Sequence, residues 1–303
     1  MHDFGEILLP FITPFDESGE VNYAEYEKLL RYAIDRNFVD TIVVSGTTGE
    51  FNTLSFDERV KLFKVAVKVA NGKYPVLAGT GTTSAWETIA LTNEATKAGA
   101  TAVMIVGPYY CKPTQNGIYD YYIEVLNHTT ADIIVYNIPI FTGVNIEPET
   151  LGRLAGASKR FIGVKDESGI NPVQVLAYRF ATREASPDFL IFNGDDIMLL
   201  STLALGAQGI VSGGSLLLGD KVRKVFECYE SGKPHEALEH YKTVYRLCTM
   251  FGTGGRIHPN PMLRAAVEKV TGFKIGPARL PLDRPSGEEK EMLFKLLGEI
   301  GLI

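Results

Sequence analysis

Along this chain, short apolar runs alternate with longer stretches in which apolar residues recur every three or four positions. The short runs are ILLPFIT (7–13), DTIVVS (40–45), YPVLAGT (74–80), ATAVMIV (100–106), DIIVYN (132–137), FIGVK (161–165), FLIFNG (189–194) and QGIVSG (208–213). They are rich in Val and Ile and apolar almost throughout, as strands buried on both faces of a parallel sheet are. The longer stretches read as amphipathic helices. Residues 23–36 carry Tyr26, Leu29, Leu30 and Ala33 on one face. Residues 55–70 open with Ser-Phe-Asp-Glu, a capping-box start, and carry Val60, Phe63, Val67 and Ala70 at helical spacing. Further helices are predicted over 84–98, 117–127, 148–155, 172–181, 196–205 and 220–229.

From the second strand onward, strand starts recur at intervals of roughly 20 to 35 residues, the length of a βα unit. Eight strands, each followed by a helix, predict a (β/α)8 TIM barrel. The rival fold, a doubly wound open sheet, usually carries a glycine-rich phosphate turn after its first strand. Here the first strand leads into PFDESGE, which has no such turn. Beyond the eighth unit, residues 234–251, 259–271 and 286–300 read as three more helices. The expected division is a barrel over 1–232 and a C-terminal helical region over 233–303. No low-complexity linker separates them, so the second is expected to pack on the first.

Composition narrows the function class. Of 303 residues, 45% are hydrophobic and 22% charged, which suits a soluble globular chain with a sizeable core. The formal net charge of −6, without any Lys/Arg block, gives no footprint for nucleic acid or an anionic membrane. Cys111, Cys228 and Cys248 are odd in number and far apart, which predicts reduced thiols and a cytoplasmic setting. The first residues lack the basic start and apolar stretch of a signal peptide. No apolar run approaches the ~20 residues of a membrane span.

In such a barrel the site lies at the C-terminal ends of the strands. Those ends offer Thr47, Thr48 and Glu50 in SGTTGE, Tyr109 and Tyr110 in GPYYCKP, Tyr136 and Asn137 in YNIP, then Lys165, then Gly194, Asp195 and Asp196 in NGDD, and finally Val211 and Ser212. Lys165 is the most telling of these. Its plain reading is a strand-end lysine that snorkels to water or pairs with Asp166 or Glu167. Inside a barrel mouth, a desolvated lysine can instead act as a neutral amine, attack a ketone and form a Schiff base. Tyr136 ends the adjacent strand, where it is either a barrel-layer aromatic or a phenol that moves protons. Tyr110 has the same two readings. GTTGE is either a helix-capping turn or a carboxylate cradle of backbone amides and threonine hydroxyls. Asp195 and Asp196 lack a His or carboxylate partner in metal spacing, so a solvated or capping role is expected, with no metal site. All five histidines fall outside the strand-end set, which argues against His-based catalysis.

Five motifs now stand in register: GTTGE (46–50), PYY with KPTQNG (108–117), YNIPxxTG (136–143), GVKD (163–166) and GDD (194–196). Together they resemble the dihydrodipicolinate synthase / N-acetylneuraminate lyase family, and the resemblance spans nearly the whole chain. It implies a class I, metal-independent aldolase on a (β/α)8 barrel, usually a homotetramer, with no cofactor beyond the covalent Schiff base. It also implies that Lys165 condenses with pyruvate or another 2-oxo acid and that Tyr136 transfers protons. Thr47 and Thr48 would bind the carboxylate, and Thr48 would relay protons to Tyr136. Tyr110 would complete a hydroxyl chain in a neighbouring subunit, and Gly194 and Val211 would line the pyruvate pocket.

The family's synthases carry an arginine before Thr-Gly in the YN-x-P-x-x-TG loop. Here that residue is Phe141, which cannot pair a second carboxylate. Phe56 and Thr83 stand where the lysine feedback site usually has histidine and asparagine, although Glu87 fits. The N-acetylneuraminate lyases usually have threonine two residues after the lysine; here it is Glu167, expected to face the distal hydroxyls of the substrate. The partners expected are therefore pyruvate and a small aldehyde, with reversible cleavage of a 2-keto-3-deoxy sugar acid or a similar 2-oxo acid. The alternatives are a dihydrodipicolinate synthase using aspartate semialdehyde, a 2-keto-3-deoxy acid dehydratase, or a non-catalytic 2-oxo acid binder.

Overall fold

The computed structural model describes residues 3–169 and 171–303. Eight parallel strands close a barrel in sequence order: β1 (Ile7–Pro10), β2 (Thr41–Val44), β3 (Val76–Gly79), β4 (Ala102–Val106), β5 (Ile133–Asn137), β6 (Phe161–Asp166), β7 (Leu190–Asn193) and β8 (Gly209–Val211). The helices around them are α1 (Tyr23–Asp35), α2 (Phe56–Ala70), α3 (Ala85–Ala98), α4 (Gln115–Asn127), α5 (Pro139–Thr142), α6 (Pro148–Ala157), α7 (Gln174–Thr182), α8 (Leu199–Ala204) and α9 (Ser215–Glu230). Then α10 (Pro234–Met250), α11 (Asn260–Thr271) and α12 (Gly287–Glu299) complete the chain.

Two apolar shells follow from strand alternation. Leu8, Val43, Leu77, Met104, Ile134, Tyr136 and Phe192 point into the barrel, while Leu9, Val44, Val135 and Val164 point out beneath the helices. Helix starts obey the predicted chemistry. Ser55 accepts from the Glu58 amide while Glu58 returns a bond to the Ser55 amide, the full capping box ahead of α2.

Some boundaries differ from expectation. The first strand stops at Pro10 instead of Thr13, although Phe11 still donates to the Val43 carbonyl. A 3-10 turn at Asp196–Met198 precedes α8, where one helix was expected. The helix expected from Asp220 already begins at Ser215, with a kink at Leu218. The four-residue α5 carries too little periodicity to read from sequence. No helix among the described residues is long and apolar enough to cross a membrane.

The C-terminal helices pack against the barrel. Arg264 of α11 reaches the carbonyl of Thr13 at 2.8 Å and the carboxylate of Glu50 at 2.9 Å. Tyr241 of α10 donates to the Ile197 carbonyl. This region therefore stands over the C-terminal ends of the strands.

Candidate active site

Strand register fixes the centre of the barrel mouth. Tyr136 on β5 lies beside Lys165 on β6, which lies beside Phe192 on β7. Since Val164 points out, alternation turns Lys165 inward and Asp166 outward. Lys165 is only 4% exposed. Its Nζ sits 3.9 Å from the centroid of the Tyr136 ring, a cation–π distance, and 3.0 Å from Glu167 Oε2. The Tyr136 hydroxyl donates to the same carboxylate oxygen at 2.7 Å and lies 3.1 Å from Thr47 Oγ1.

Room for the lysine depends on Gly194. A Cβ there would lie 2.6 Å from Lys165 Cε and 2.9 Å from Glu167 Cβ, so any side chain would displace one of them. On the outer face, Asn137 Nδ2 donates to Asp166 Oδ1 at 2.9 Å and Gln174 Nε2 donates to the same atom at 3.1 Å. These bonds lock the ends of β5 and β6 together, so Asp166 serves the scaffold and Glu167 is the lysine's partner.

The electrostatics of the mouth are dominated by burial. Burial drives the Tyr136 phenol well above its ordinary range; the Glu167 charge adds to this, and the Thr47 hydroxyl opposes it. Asp195 is pushed up to about 7, by burial first and then by the charge of Glu167. Its side chain also caps the 3-10 turn by accepting from the Ile197 amide at 3.0 Å. Asp196 is not solvated: it accepts from the Ser212 hydroxyl and, at 3.0 Å, from the Gly214 amide. No group of three or more His, Cys, Asp or Glu among the described residues could hold a metal ion.

The GTTGE turn is held from the C-terminal side. Glu50 sits in the left-handed region at φ 55 and is fully buried. Its carboxylate accepts from Arg264 Nη1 at 2.9 Å, Asn260 Nδ2 at 3.3 Å and the Arg279 amide at 3.0 Å. Asn260 also donates to the Thr48 carbonyl at 2.9 Å. Burial raises the Glu50 carboxyl, and the Arg264 charge pulls against it.

A cavity of about 480 Å³ opens above Lys165. Thr47, Thr48, Glu167, Gly194 and Val211 line its barrel side, and Ile140, Phe141, Phe251 and Ile257 line the other. Behind Phe141 lies a second cavity of about 250 Å³ that includes Thr47, Tyr109 and His258. Phe141 stacks on His258, with ring centroids 5.4 Å apart and planes at 29°. Burial pushes His258 down to about 4, so the ring is neutral at physiological pH.

Several placements depart from expectation. The hydroxyl on the Tyr136 phenol is that of Thr47, not Thr48, because Tyr136 points toward the first threonine of the turn. Glu167 does not face a distal substrate position; it folds back onto Lys165 and Tyr136. Tyr110 is 91% exposed at φ 68 and lines neither cavity, so nothing within one chain brings it to Lys165. The contribution of the C-terminal region, His258 above all, was missed. The only signal was HPNP ahead of the α11 pattern, and proline-bounded turns are common.

The sequence model of the dihydrodipicolinate synthetase family matches residues 3–300. A 4-hydroxy-tetrahydrodipicolinate synthase of Desulforudis audaxviator is 38% identical over 301 residues, covering 99% of each chain. The crystal structure of a dihydrodipicolinate synthase from Thermotoga maritima superposes with a TM-score of 0.93 at 34% identity, covering 100% of each chain. A prophage protein of the dihydrodipicolinic acid synthase family from E. coli K12, crystallised in complex with pyruvate, superposes with a TM-score of 0.92 at 26% identity over 99% of each chain. A family model matched from end to end, on a closed eight-stranded barrel, leaves one conclusion: this chain belongs to the dihydrodipicolinate synthetase family.

Proposed function

We propose that this enzyme is a class I, pyruvate-dependent aldolase that reversibly cleaves a 2-keto-3-deoxy sugar acid or a similar hydroxylated 2-oxo acid. The observation that carries the reading is the inward-facing Lys165 amine, buried against the Tyr136 ring. Lys165 attacks the C2 ketone, water leaves, and an iminium forms. The C4 hydroxyl then gives up its proton to the Tyr136 oxygen as the phenol passes its own proton on, and the C3–C4 bond breaks. Its electron pair is held as the enamine and an aldehyde departs. Protonation at C3 and hydrolysis release pyruvate.

Thr47 and Thr48 are assigned to the pyruvate carboxylate. Among the described residues their backbone amides donate to no other protein group, so both are available to an anion. Thr47 is the hydroxyl that aligns the phenol. Gly194 and Val211 frame the space around C3. The chemistry needs no metal or organic cofactor. Tyr110, an exposed aromatic on a left-handed backbone position, is assigned to a neighbouring subunit's site in a homotetramer. The three cysteines are unpaired, which suits a cytoplasmic enzyme.

The second substrate is read as an aldehyde without a carboxylate. Among the described residues lining the larger cavity, Lys165 is the sole cation, and Phe141 stands where a second carboxylate would need a partner. One observation favours a second reading: the curated relatives are named 4-hydroxy-tetrahydrodipicolinate synthases. In that reading the aldehyde is aspartate semialdehyde. The deciding assay follows pyruvate consumption with glyceraldehyde against aspartate semialdehyde. The aldolase reading expects kcat/KM to favour glyceraldehyde by at least about tenfold, or 1.4 kcal/mol. A preference for aspartate semialdehyde overturns it in favour of the synthase.

A further inference from the structure

One oxygen, Glu167 Oε2, lies within hydrogen-bond reach of both groups that must exchange protons: 3.0 Å from Lys165 Nζ and 2.7 Å from the Tyr136 hydroxyl. The two contacts answer two chemical problems. A lysine held as an ammonium cannot attack a ketone until something takes its proton. A buried phenol can take a proton drawn from substrate only as it gives up its own, because burial and the neighbouring carboxylate disfavour the phenolate that could otherwise accept one.

We infer that Glu167 is a catalytic carboxylate that takes the Lys165 ammonium proton and then serves as the proton acceptor behind Tyr136. This rests on the Schiff-base reading above. In the first step a proton passes from Nζ to Glu167, the freed amine adds to the C2 ketone, and the carbinolamine forms. Glu167 returns a proton to the carbinolamine hydroxyl, which leaves as water, and the iminium remains. In the cleavage step the C4 hydroxyl proton moves to the Tyr136 oxygen as the Tyr136 proton moves to Glu167. The C3–C4 pair becomes the C2=C3 bond of the enamine, and the iminium π pair returns to nitrogen. The same relay in reverse protonates C3. Pyruvate alone engages this relay, since loss of a C3 proton from its iminium gives the same enamine.

The groups around Glu167 come from several elements. Beside Glu167 are Lys165 of β6 and Tyr136 of β5, with its chain neighbour Asp166 turned to the outer face. Asp195 and Asp196 act on it from the end of β7, and Cys248 of α10 lines the same cavity. The side chain retains 24% exposure, so it can exchange protons with water as the cycle closes.

The test is exchange of the C3 hydrogens of pyruvate in heavy water, followed by NMR, with borohydride trapping alongside. Glu167→Gln keeps the size and one acceptor but cannot take the proton. Its exchange rate is expected to fall on the order of 100-fold, while borohydride still yields the pyruvyl adduct after longer incubation. Exchange within about threefold of wild type overturns the inference. So does a folded variant that no longer traps pyruvate, since Glu167 would then only hold the lysine in place. Wild-type protein that fails to trap pyruvate overturns the Schiff-base reading itself.

Discussion

On the barrel side of the main cavity, Lys165, Tyr136 and Glu167 are joined by contacts of 2.7 and 3.0 Å on or beside adjacent strand ends. On the opposite side, Ile140, Phe141 and Ile257 present apolar surface that is 59%, 37% and 65% exposed. Strand ends are positioned by ladder hydrogen bonds and by two packed apolar shells, so the groups they carry are held to fixed distances. The other side comes from a four-residue helix and a loop of the C-terminal region, stabilised by stacking of Phe141 on His258. The difference separates tasks. On the proposed reading, the bond-making groups stand on the strand-end wall, and the groups assigned to the variable part of the substrate stand on the loop-built one.

The largest expected effect comes from breaking the tie between the two sides. Glu50 and Arg264, 0% and 2% exposed, form a buried ion pair that fastens α11 to the GTTGE turn. Replacing Glu50 by Gln leaves the guanidinium without its counter-charge, at a cost of about 3–5 kcal/mol. Denaturant unfolding would read this as a lower midpoint. A midpoint unchanged from wild type would mean that the C-terminal region is not gripped through this pair.

A smaller effect sharpens the electrostatics of the rigid wall. Asp195 titrates near 7 in the fold, against about 3.9 in an unfolded chain. A raised carboxyl pKa contributes stability that is fully present below the unfolded value and is lost as pH rises through the folded one. Asp195→Asn keeps a capping acceptor but no charge. Its advantage over wild type is expected to grow from nothing at pH 4 to about 1–3 kcal/mol at pH 8. A stability difference that stays flat between those pH values would contradict the assignment.

The barrel side was far more legible in the sequence than its opposite. Apolar runs, their spacing and the strand-end rule were enough to put Tyr136 and Lys165 at one mouth, because alternation and register leave little freedom. Side-chain direction at the first residues beyond a strand was not legible. Glu167 lies one residue past β6, where strand alternation no longer sets direction, and only the folded geometry shows it bent back onto the lysine. The two threonines of GTTGE are equivalent in sequence and differ only by their positions in the turn. His258 and Ile257 come from a segment more than 90 residues away from Lys165 in the chain, with no periodic signal pointing back to the mouth. Tyr110 is left outside the single-chain site, as an exposed residue.

The central claim is that Lys165 forms a covalent iminium with pyruvate. Incubation with pyruvate and borohydride, followed by intact-mass measurement and peptide mapping, tests it most directly. The account predicts one pyruvyl adduct per chain, mapped to Lys165, and none on Lys165→Ala. Active wild-type protein with unmodified mass, or an adduct that persists in the alanine variant, would contradict it.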